Sequence, residues 1–320
     1  MATKNLVDAI YHQRSNYFPD EQQQRGIAAE IRSSRGEFFK QFKDKLISEN
    51  SPTCCRQLQL LSEKGASCWL TSLPLKEYGF LLNKQEFHDA LALRYNLVLS
   101  TLDRHKQCIC GKPNNVDHCL TCKLGGYVSL RHDSLKRTTG DLLKQVCKDV
   151  EEEPSLLNIT TEQLPSGTDK SDGARLDISV RGFWTPLDRA FTDVRVLHPQ
   201  APSNSNKTLN QMYRTHEMEK KRKYNARVMQ VEKASFTPLV FSTTGGMGTE
   251  ADRFYKHLAT KISNKTGHQY SDTVAFIRRR LRFDLLRTCI ISLRGYRGKQ
   301  CPKPVHIDTL DLNLRPQAVY

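Results

Sequence analysis

Residues 174–196, ARLDISVRGFWTPLDRAFTDVRV, contain two short runs in which apolar and polar side chains alternate along the chain. Each run carries one aspartate, Asp177 in the first and Asp193 in the second. Alternation with a period of two in runs rich in Val and Ile favours β-strands, and the glycine and proline between the runs favour a connection. The sequence therefore predicts a β-hairpin that brings the two aspartates close together.

Two carboxylates held close together repel each other unless a cation lies between them. Oxygen ligands of this kind are the ones that Mg²⁺ prefers in proteins. The stretch therefore favours a divalent-cation site over two separately solvated acids.

The composition limits the class of protein. The 320 residues allow one large domain or two, and hydrophobic residues make up 38% of them. No apolar run approaches the ~18 residues of a membrane span, and the first residues, MATKNLVDAIYHQRSNYF, lack the apolar core of a secretory signal. Together with the ten cysteines, these features favour an intracellular, reducing compartment, where metal binding is a commoner use of cysteine than disulfides.

The charge balance indicates a polyanionic partner. Lysine and arginine number 49 against 34 acidic residues, which gives a net charge of +15. Such a surplus favours nucleic acid, DNA or RNA, as the partner. The alternative is a basic surface that serves only solubility.

A cysteine-rich segment at residues 108–126, CICGKPNNVDHCLTCKLGG, predicts a structural zinc knuckle. Three thiolates and one imidazole have the compact spacing that closes around a tetrahedral ion, and Gly111 and Pro113 allow the tight turn. The candidate ligands are Cys108, Cys110, His118 and Cys122. Cys119 competes with His118 for the fourth position, because Cys119 and Cys122 form a C-x-x-C pair of their own.

The order of predicted elements divides the chain into four parts. We predict a helical region at residues 1–105, the knuckle at 106–130, a catalytic domain at 131–295 and a loose tail at 296–320. Residues 131–243 are predicted to run helix, strand, strand, strand, helix, strand.

With these motifs in order, the chain resembles the C-terminal region of non-LTR retrotransposon polyproteins that carry a restriction-like endonuclease of the PD-(D/E)xK superfamily. The resemblance covers about residues 65–295. In that family a knuckle, an RH(D/N) helix, a (R/K)PD strand, a second acidic strand and a Lys/Tyr helix follow one another. The corresponding residues in this chain are Cys108, Cys110, His118 and Cys122, then Arg131, His132 and Asp133, then Arg175, Leu176 and Asp177, then Asp193, then Lys220 through Tyr224.

The sequence departs from the family pattern at two positions. Leu176 replaces the proline of the PD motif. We expect this change to affect metal binding little, because the aspartate supplies the ligand. Arg195 stands where the D-x-K lysine is expected, and arginine keeps its proton at any working pH. In this nuclease group the lysine moves to the following helix, and Lys220 lies four residues before Tyr224 on the apolar face of that helix. A solvated helix from whose edge Lys220 reaches into water is the alternative.

The resemblance implies an α/β, PD-(D/E)xK-like fold and a nuclear endonuclease that nicks DNA with magnesium or manganese, in addition to the zinc. Asp177, Asp193 and Glu153 would hold the catalytic cation, and Lys220 would orient the attacking water or neutralise developing charge. Glu153 is the least determined ligand, since Glu151 and Glu152 are its neighbours and Asp141 is a substitute. The absence of a polymerase motif leaves a reverse transcriptase as a partner in trans.

Basic residues outside the catalytic set are expected to contact phosphates rather than bases. They are Arg131, His132, Lys221, Arg222, Lys223, Arg278, Arg279 and Arg280. Two other classes remain open: a decayed, non-enzymatic nucleic-acid-binding zinc protein, and a structural module that packs against a polymerase. Cleavage, salt-dependent binding without cleavage, and protein binding without DNA affinity distinguish the three.

Overall fold

A computed structural model describes residues 21–49, 51–99, 102 and 107–295. The predicted tail, 296–320, and the first twenty residues of the predicted helical region lie outside these ranges. The chain divides into two compact units, residues 1–59 and 60–320, and the second contains the predicted hairpin and knuckle. Helix α1 (Glu21–Glu49) lies in the first unit, and helix α2 (Pro52–Leu61) crosses the boundary.

Helix α3 (Lys84–Tyr95) begins with a reciprocal cap and ends at a left-handed residue. The Asn83 side chain accepts the Glu86 N–H while the Glu86 carboxylate accepts the Asn83 N–H, and Asn96 has φ 52°. The segment around α3 packs against the last described helix, α8 (Tyr270–Arg294), through a cluster of buried residues. This cluster contains Trp69, Phe80, Ala90, Phe283, Leu286 and Ile290.

The remaining elements follow the predicted order of helix, strand, strand, strand, helix, strand. After the short helix α4 (Val116–Thr121), they are α5 (Tyr127–Lys144), β1 (Lys148–Glu152), β2 (Ile178–Arg181), β3 (Arg189–Leu197), α6 (Leu209–Gln230) and β4 (Ser235–Ser242). Helix α7 (Thr249–Thr266) then leads to α8. The protein is a mixed α/β structure with a four-stranded open sheet.

The sheet has the strand order β1-β2-β3-β4, and the predicted hairpin is confirmed. Strands β2 and β3 pair antiparallel with Ile178 opposite Thr192, and β1 pairs antiparallel with β2. Strand β4 is parallel to β3, which requires the crossover that α6 provides. Pro238 of β4 lies opposite Asp193, as an edge strand allows.

Helices cover both faces of the sheet. One face packs against α5, α7 and α8 in a cluster that includes Ile178, Val180, Val194, Leu239, Phe241, Leu135, Phe254 and Leu281. The other face packs against α6, with Phe191 and Phe236 against Tyr224 and Val228. Because strand side chains alternate between faces, Asp193, two residues from Phe191, faces α6.

Helix α5 starts earlier than the predicted boundary at residue 131. Its N-cap is Gly126, with φ 71°, and the helix begins at Tyr127. Asp133 therefore lies inside its first two turns. As a result His132 and Lys136 are four residues apart on one helical face, which points toward the hairpin.

Candidate functional site

Three cysteines and one histidine converge at the predicted knuckle. The ligand atoms of Cys108, Cys110, His118 and Cys122 all lie within 4.8 Å of one another, and we call this group the Cys3His cluster. The Cys108 and Cys122 Sγ atoms are 3.9 Å apart, and Cys110 Sγ is 3.2 Å from His118 Nε2. A tetrahedral ion with Zn–S bonds of ~2.3 Å separates two sulfurs by about 3.8 Å. The cluster can therefore hold a metal ion, and its donors are those of a zinc site.

The backbone around the cluster fixes the positions of its ligands. Cys108 donates its N–H to the Lys112 carbonyl, and Gly111 makes the turn between them with φ 83°. Helix α4 begins where the Asn115 side chain accepts the His118 N–H at 2.8 Å. A hydrogen bond from the Lys112 backbone lowers the pKa of Cys110, whereas burial raises that of Cys122.

The structure distinguishes the two candidates for the fourth ligand. Cys119 is fully buried and packs with Ala92, Leu99 and Leu293 rather than with the cluster, and its thiol donates to Asn114 Oδ1 at 3.1 Å. His118 is the residue whose ring nitrogen reaches the other ligands.

We expect His118→Ala to lower the bound zinc well below one ion per chain, because three thiolates without the imidazole leave the coordination incomplete. Cys119→Ala should retain one ion per chain, since its thiol lies outside the cluster. Elemental analysis of both purified variants tests this assignment. Full retention of zinc by His118→Ala, with loss in Cys119→Ala, would reverse it.

Two polar contacts attach α4 to neighbouring elements, one beyond β3 and one on α5. His198, just beyond β3, lies 2.8 Å from both Asp117 Oδ1 and Thr243 Oγ1. The Arg131 guanidinium donates to the Leu120 carbonyl at 2.6 Å. Arg131 is only 2% exposed, so its prediction as a phosphate-binding residue is wrong, because its charge is used to satisfy the end of α4.

Asp177 lies immediately before β2, and its side chain connects two elements. Its Oδ2 accepts the Val194 N–H at 2.6 Å and is 3.0 Å from His132 Nε2 on α5. The Asp177 N–H donates to the Thr192 carbonyl, so Asp177 is hydrogen-bonded to the backbone on both sides of Asp193. The other His132 ring nitrogen is 3.0 Å from Asp133 Oδ1.

Asp193 forms an ion pair with Lys220 across the interface of the sheet and α6. The Asp193 side chain is 8% exposed and that of Lys220 is 17% exposed. The Lys220 ammonium lies against Asp193 Oδ2. The Lys220 ammonium also lies 5.7 Å from the centre of the Tyr224 ring. The sequence prediction that Lys220 faces inward holds geometrically.

The charges of this group act on one another. Burial raises the pKa of Asp193, the positive charge of Lys220 opposes this rise, and the negative charge of Asp177 adds to it. Burial alone would lower the pKa of His132, but its hydrogen bonds to Asp177 and Asp133 and their charges raise it to about 9. Asp177 and Asp193, which we call the acidic pair, therefore lie between two cationic side chains, His132 and Lys220.

Glu153 does not join the acidic pair. Its carboxylate is 2.5 Å from Lys136 Nζ, although its N–H donates to the Asp177 carbonyl at 2.9 Å. In the part of the chain that the structure describes, the Cys3His cluster is the only convergent group of three or more metal-ligating side chains. The predicted three-carboxylate arrangement is therefore not formed, because Lys136, one turn after His132, attracts Glu153. Two of the alternative ligands, Glu152 and Asp141, likewise pair with a lysine, Lys144.

The other basic residues predicted to bind phosphate have different surroundings. Lys221 pairs with Glu250, Lys223 with Asp169 at 3.3 Å and Arg278 with Asp252 at 3.0 Å, while Arg280 donates to the Tyr78 carbonyl. Arg222 is exposed, Arg279 is half-buried, and His132 contacts the acidic pair. Sequence reasoning missed the roles of His132 and Lys136, which their four-residue spacing on one helix could have suggested.

A comparison of the chain with models of known protein families finds no matching family, and a comparison with curated proteins finds no match. Among the described helices, none combines the length and apolar character that crossing a bilayer demands.

Proposed function

We propose that the protein is a retroelement-derived, metal-dependent endonuclease that hydrolyses phosphodiester bonds in DNA, with a PD-(D/E)xK-like catalytic core. The observation that carries this proposal is the Asp193–Lys220 ion pair beside Asp177, at a hairpin within a helix-strand-strand-strand-helix-strand core. An acid pair and an amine arranged in this way provide cation ligands and a phosphate-directed positive charge at one place.

The acidic pair fits a divalent cation through the chemistry of its donors. Asp193 and Asp177 offer carboxylate oxygens, the ligands that Mg²⁺ prefers, and the Lys220 ammonium lies against Asp193 Oδ2. The nearby charge of Asp177 raises the pKa of Asp193, so the two carboxylates are close enough to act on one another. Mg²⁺ is held in many proteins by one or two carboxylates, with water and substrate phosphate completing its shell, so a third protein ligand is not required.

A bound magnesium or manganese ion would supply Lewis-acid stabilisation of the phosphodiester and lower the pKa of the attacking water. Asp177 and Asp193 would hold it. His132 fixes the Asp177 carboxylate from the α5 side, and Lys220 is placed by the carboxylate of Asp193 and the ring of Tyr224. Lys220 would donate a hydrogen bond to a phosphate oxygen or to the attacking water.

Arg195 does not take the catalytic place of a D-x-K lysine. Its guanidinium lies 3.4 Å from Glu219 Oε1, whereas Lys220 from the next helix reaches Asp193. We therefore assign to Lys220, on the following helix, the role that a lysine at position 195 would have in the D-x-K motif.

A second candidate is a nucleic-acid-binding protein that has lost cleavage. It is favoured by the way in which His132 and Lys220 already offset the charge of the acidic pair. Both candidates would act on DNA, with RNA as a further ligand and a reverse transcriptase as a partner in trans. Both would act in the nucleus.

Conversion of supercoiled plasmid to the nicked form separates the two. We expect the zinc-loaded protein to nick plasmid when Mg²⁺ or Mn²⁺ is titrated in, and not when both are omitted, because the acidic pair requires the cation to engage phosphate. Gel quantification of nicked plasmid measures the result. Salt-dependent plasmid binding with no nicking at any concentration of either ion would instead establish the second candidate.

A further inference from the structure

We infer that a groove beside Lys220 binds the phosphate backbone of one nucleic-acid strand, independently of base sequence. The groove has a volume of about 460 Å³. Its lining, which we call the basic groove, consists of Gly167, Thr168, Asp169, Lys170, Arg195, Glu219, Lys220, Arg222 and Lys223. The substrate class rests on the proposed function, whereas polyanion binding here stands on the groove itself.

Five of the lining residues are basic and two are acidic, so the groove carries a positive surplus. The acids are already paired, Asp169 with Lys223 and Glu219 with Arg195. Lys170 and Arg222 are both exposed and form no ion pair within the described ranges. Two positive charges therefore remain available to a polyanion.

A buried arginine holds one wall of the groove in place. Arg227, on α6, is fully buried, and its guanidinium donates to the carbonyls of Asp169, Ser171 and Leu157, each at 2.9 Å. Asp169 also donates its N–H to the Lys223 carbonyl. These bonds fasten the long β1–β2 connection to α6, so that the groove exists before any ligand arrives.

Close packing completes that wall. Gly167 has φ 86°, and a Cβ built there would lie 3.3 Å from Arg222 Cδ. The loop backbone therefore closely approaches the Arg222 side chain, which remains exposed. The neighbouring Thr168 is 9% exposed, and its buried hydroxyl has no partner among the described residues.

The chemistry of the lining selects a backbone ligand. No aromatic residue lines the groove, so bases have no ring on which to stack, and binding of the kind seen in aromatic single-strand channels is not expected. Lysine and arginine donors instead match phosphate oxygens, which carry no sequence information.

The position of the groove defines the path of a bound nucleic-acid strand relative to the acidic pair. Lys220 both lines the groove and contacts Asp193. Arg195 lies two residues along β3 from Asp193 on the same face, a distance of ~7 Å, which is about the axial rise of two nucleotides in one strand. A strand in the groove would therefore continue toward the acidic pair.

Fluorescence anisotropy tests this inference without cleavage. A labelled 20-nucleotide DNA strand of mixed sequence is titrated with zinc-loaded protein, without magnesium or manganese, over a series of salt concentrations. We compare Lys170→Ala/Arg222→Ala with Lys144→Ala/Arg181→Ala, a control that removes the same charge at half-exposed positions outside the groove.

We expect the groove variant to bind at least about tenfold more weakly at moderate salt. The slope of log K against log salt should fall by about 1.4 for two lost single-strand phosphate contacts. The control should bind like the wild type. Equal weakening in both variants, or none in the groove variant, would overturn the inference. Because no cleavage is measured, a protein that nicks plasmid but fails here loses only this inference, and one that passes here but never nicks loses only the nuclease proposal.

Discussion

Asp193→Asn is expected to reduce magnesium-dependent nicking by at least about a hundredfold. The change removes the charge of the buried carboxylate that faces Lys220, while its size and one acceptor oxygen remain. With only Asp177 left, the cation loses a ligand, and Lys220 loses the partner that positions its ammonium. Initial rates of plasmid nicking at saturating Mg²⁺ measure the loss, and Asp177→Asn should show a loss of similar size.

The matched control is Asp149→Asn on β1, whose side chain is 62% exposed and pairs only loosely, at 3.8 Å, with Arg181. It should nick at the wild-type rate. Thermal unfolding of each variant shows whether a loss of rate reflects a loss of structure. A folded Asp193→Asn variant that nicks as fast as the control would contradict the assignment of the acidic pair.

Cys122→Ser is expected to release the zinc and to lower the free energy of unfolding by about 4 kcal/mol, in the range typical of lost metal sites. The melting temperature should fall by about 10 °C. An ion bound by the Cys3His cluster would hold the knuckle closed, and α4 carries Asp117, the partner of His198, and Leu120, the partner of Arg131. Loss of the ion should therefore loosen contacts at the end of β3 as well as the knuckle. Calorimetric melting with zinc analysis measures both effects.

Cys54→Ser provides the control, because Cys54 is exposed and lies outside the Cys3His cluster. It should keep both its zinc and its melting temperature. If Cys122→Ser loses its zinc but still has the melting temperature of Cys54→Ser and of the wild type, the ion does not stabilise the fold.

The local patterns of the sequence were sufficient for part of this structure. Alternation around Asp177 and Asp193 predicted the hairpin, and the helical spacing of Lys220 and Tyr224 predicted that Lys220 faces inward. The four ligands of the Cys3His cluster were predicted from their spacing. These features depend on a period or on neighbours within about fifteen residues, and such information is present in a single sequence.

What the sequence did not predict depends on distant partners. Arginine side chains are usually exposed, yet those of Arg131 and Arg227 are buried. Carbonyl groups 11 to 70 positions away along the chain accept their hydrogen bonds. The family resemblance implied Glu153 as a ligand, but Lys136 attracts its carboxylate. Such outcomes follow from which charges meet in the folded chain, and a linear pattern does not contain that information.

Binding of Mn²⁺ to the zinc-loaded protein, followed by electron paramagnetic resonance, tests the acidic pair most directly because it requires no substrate. We expect saturable binding by the wild type and by Asp149→Asn. Asp177→Asn and Asp193→Asn should lose this binding. Absence of saturable Mn²⁺ binding in the wild type, or equal binding by all four proteins, would show that the acidic pair is not a cation site.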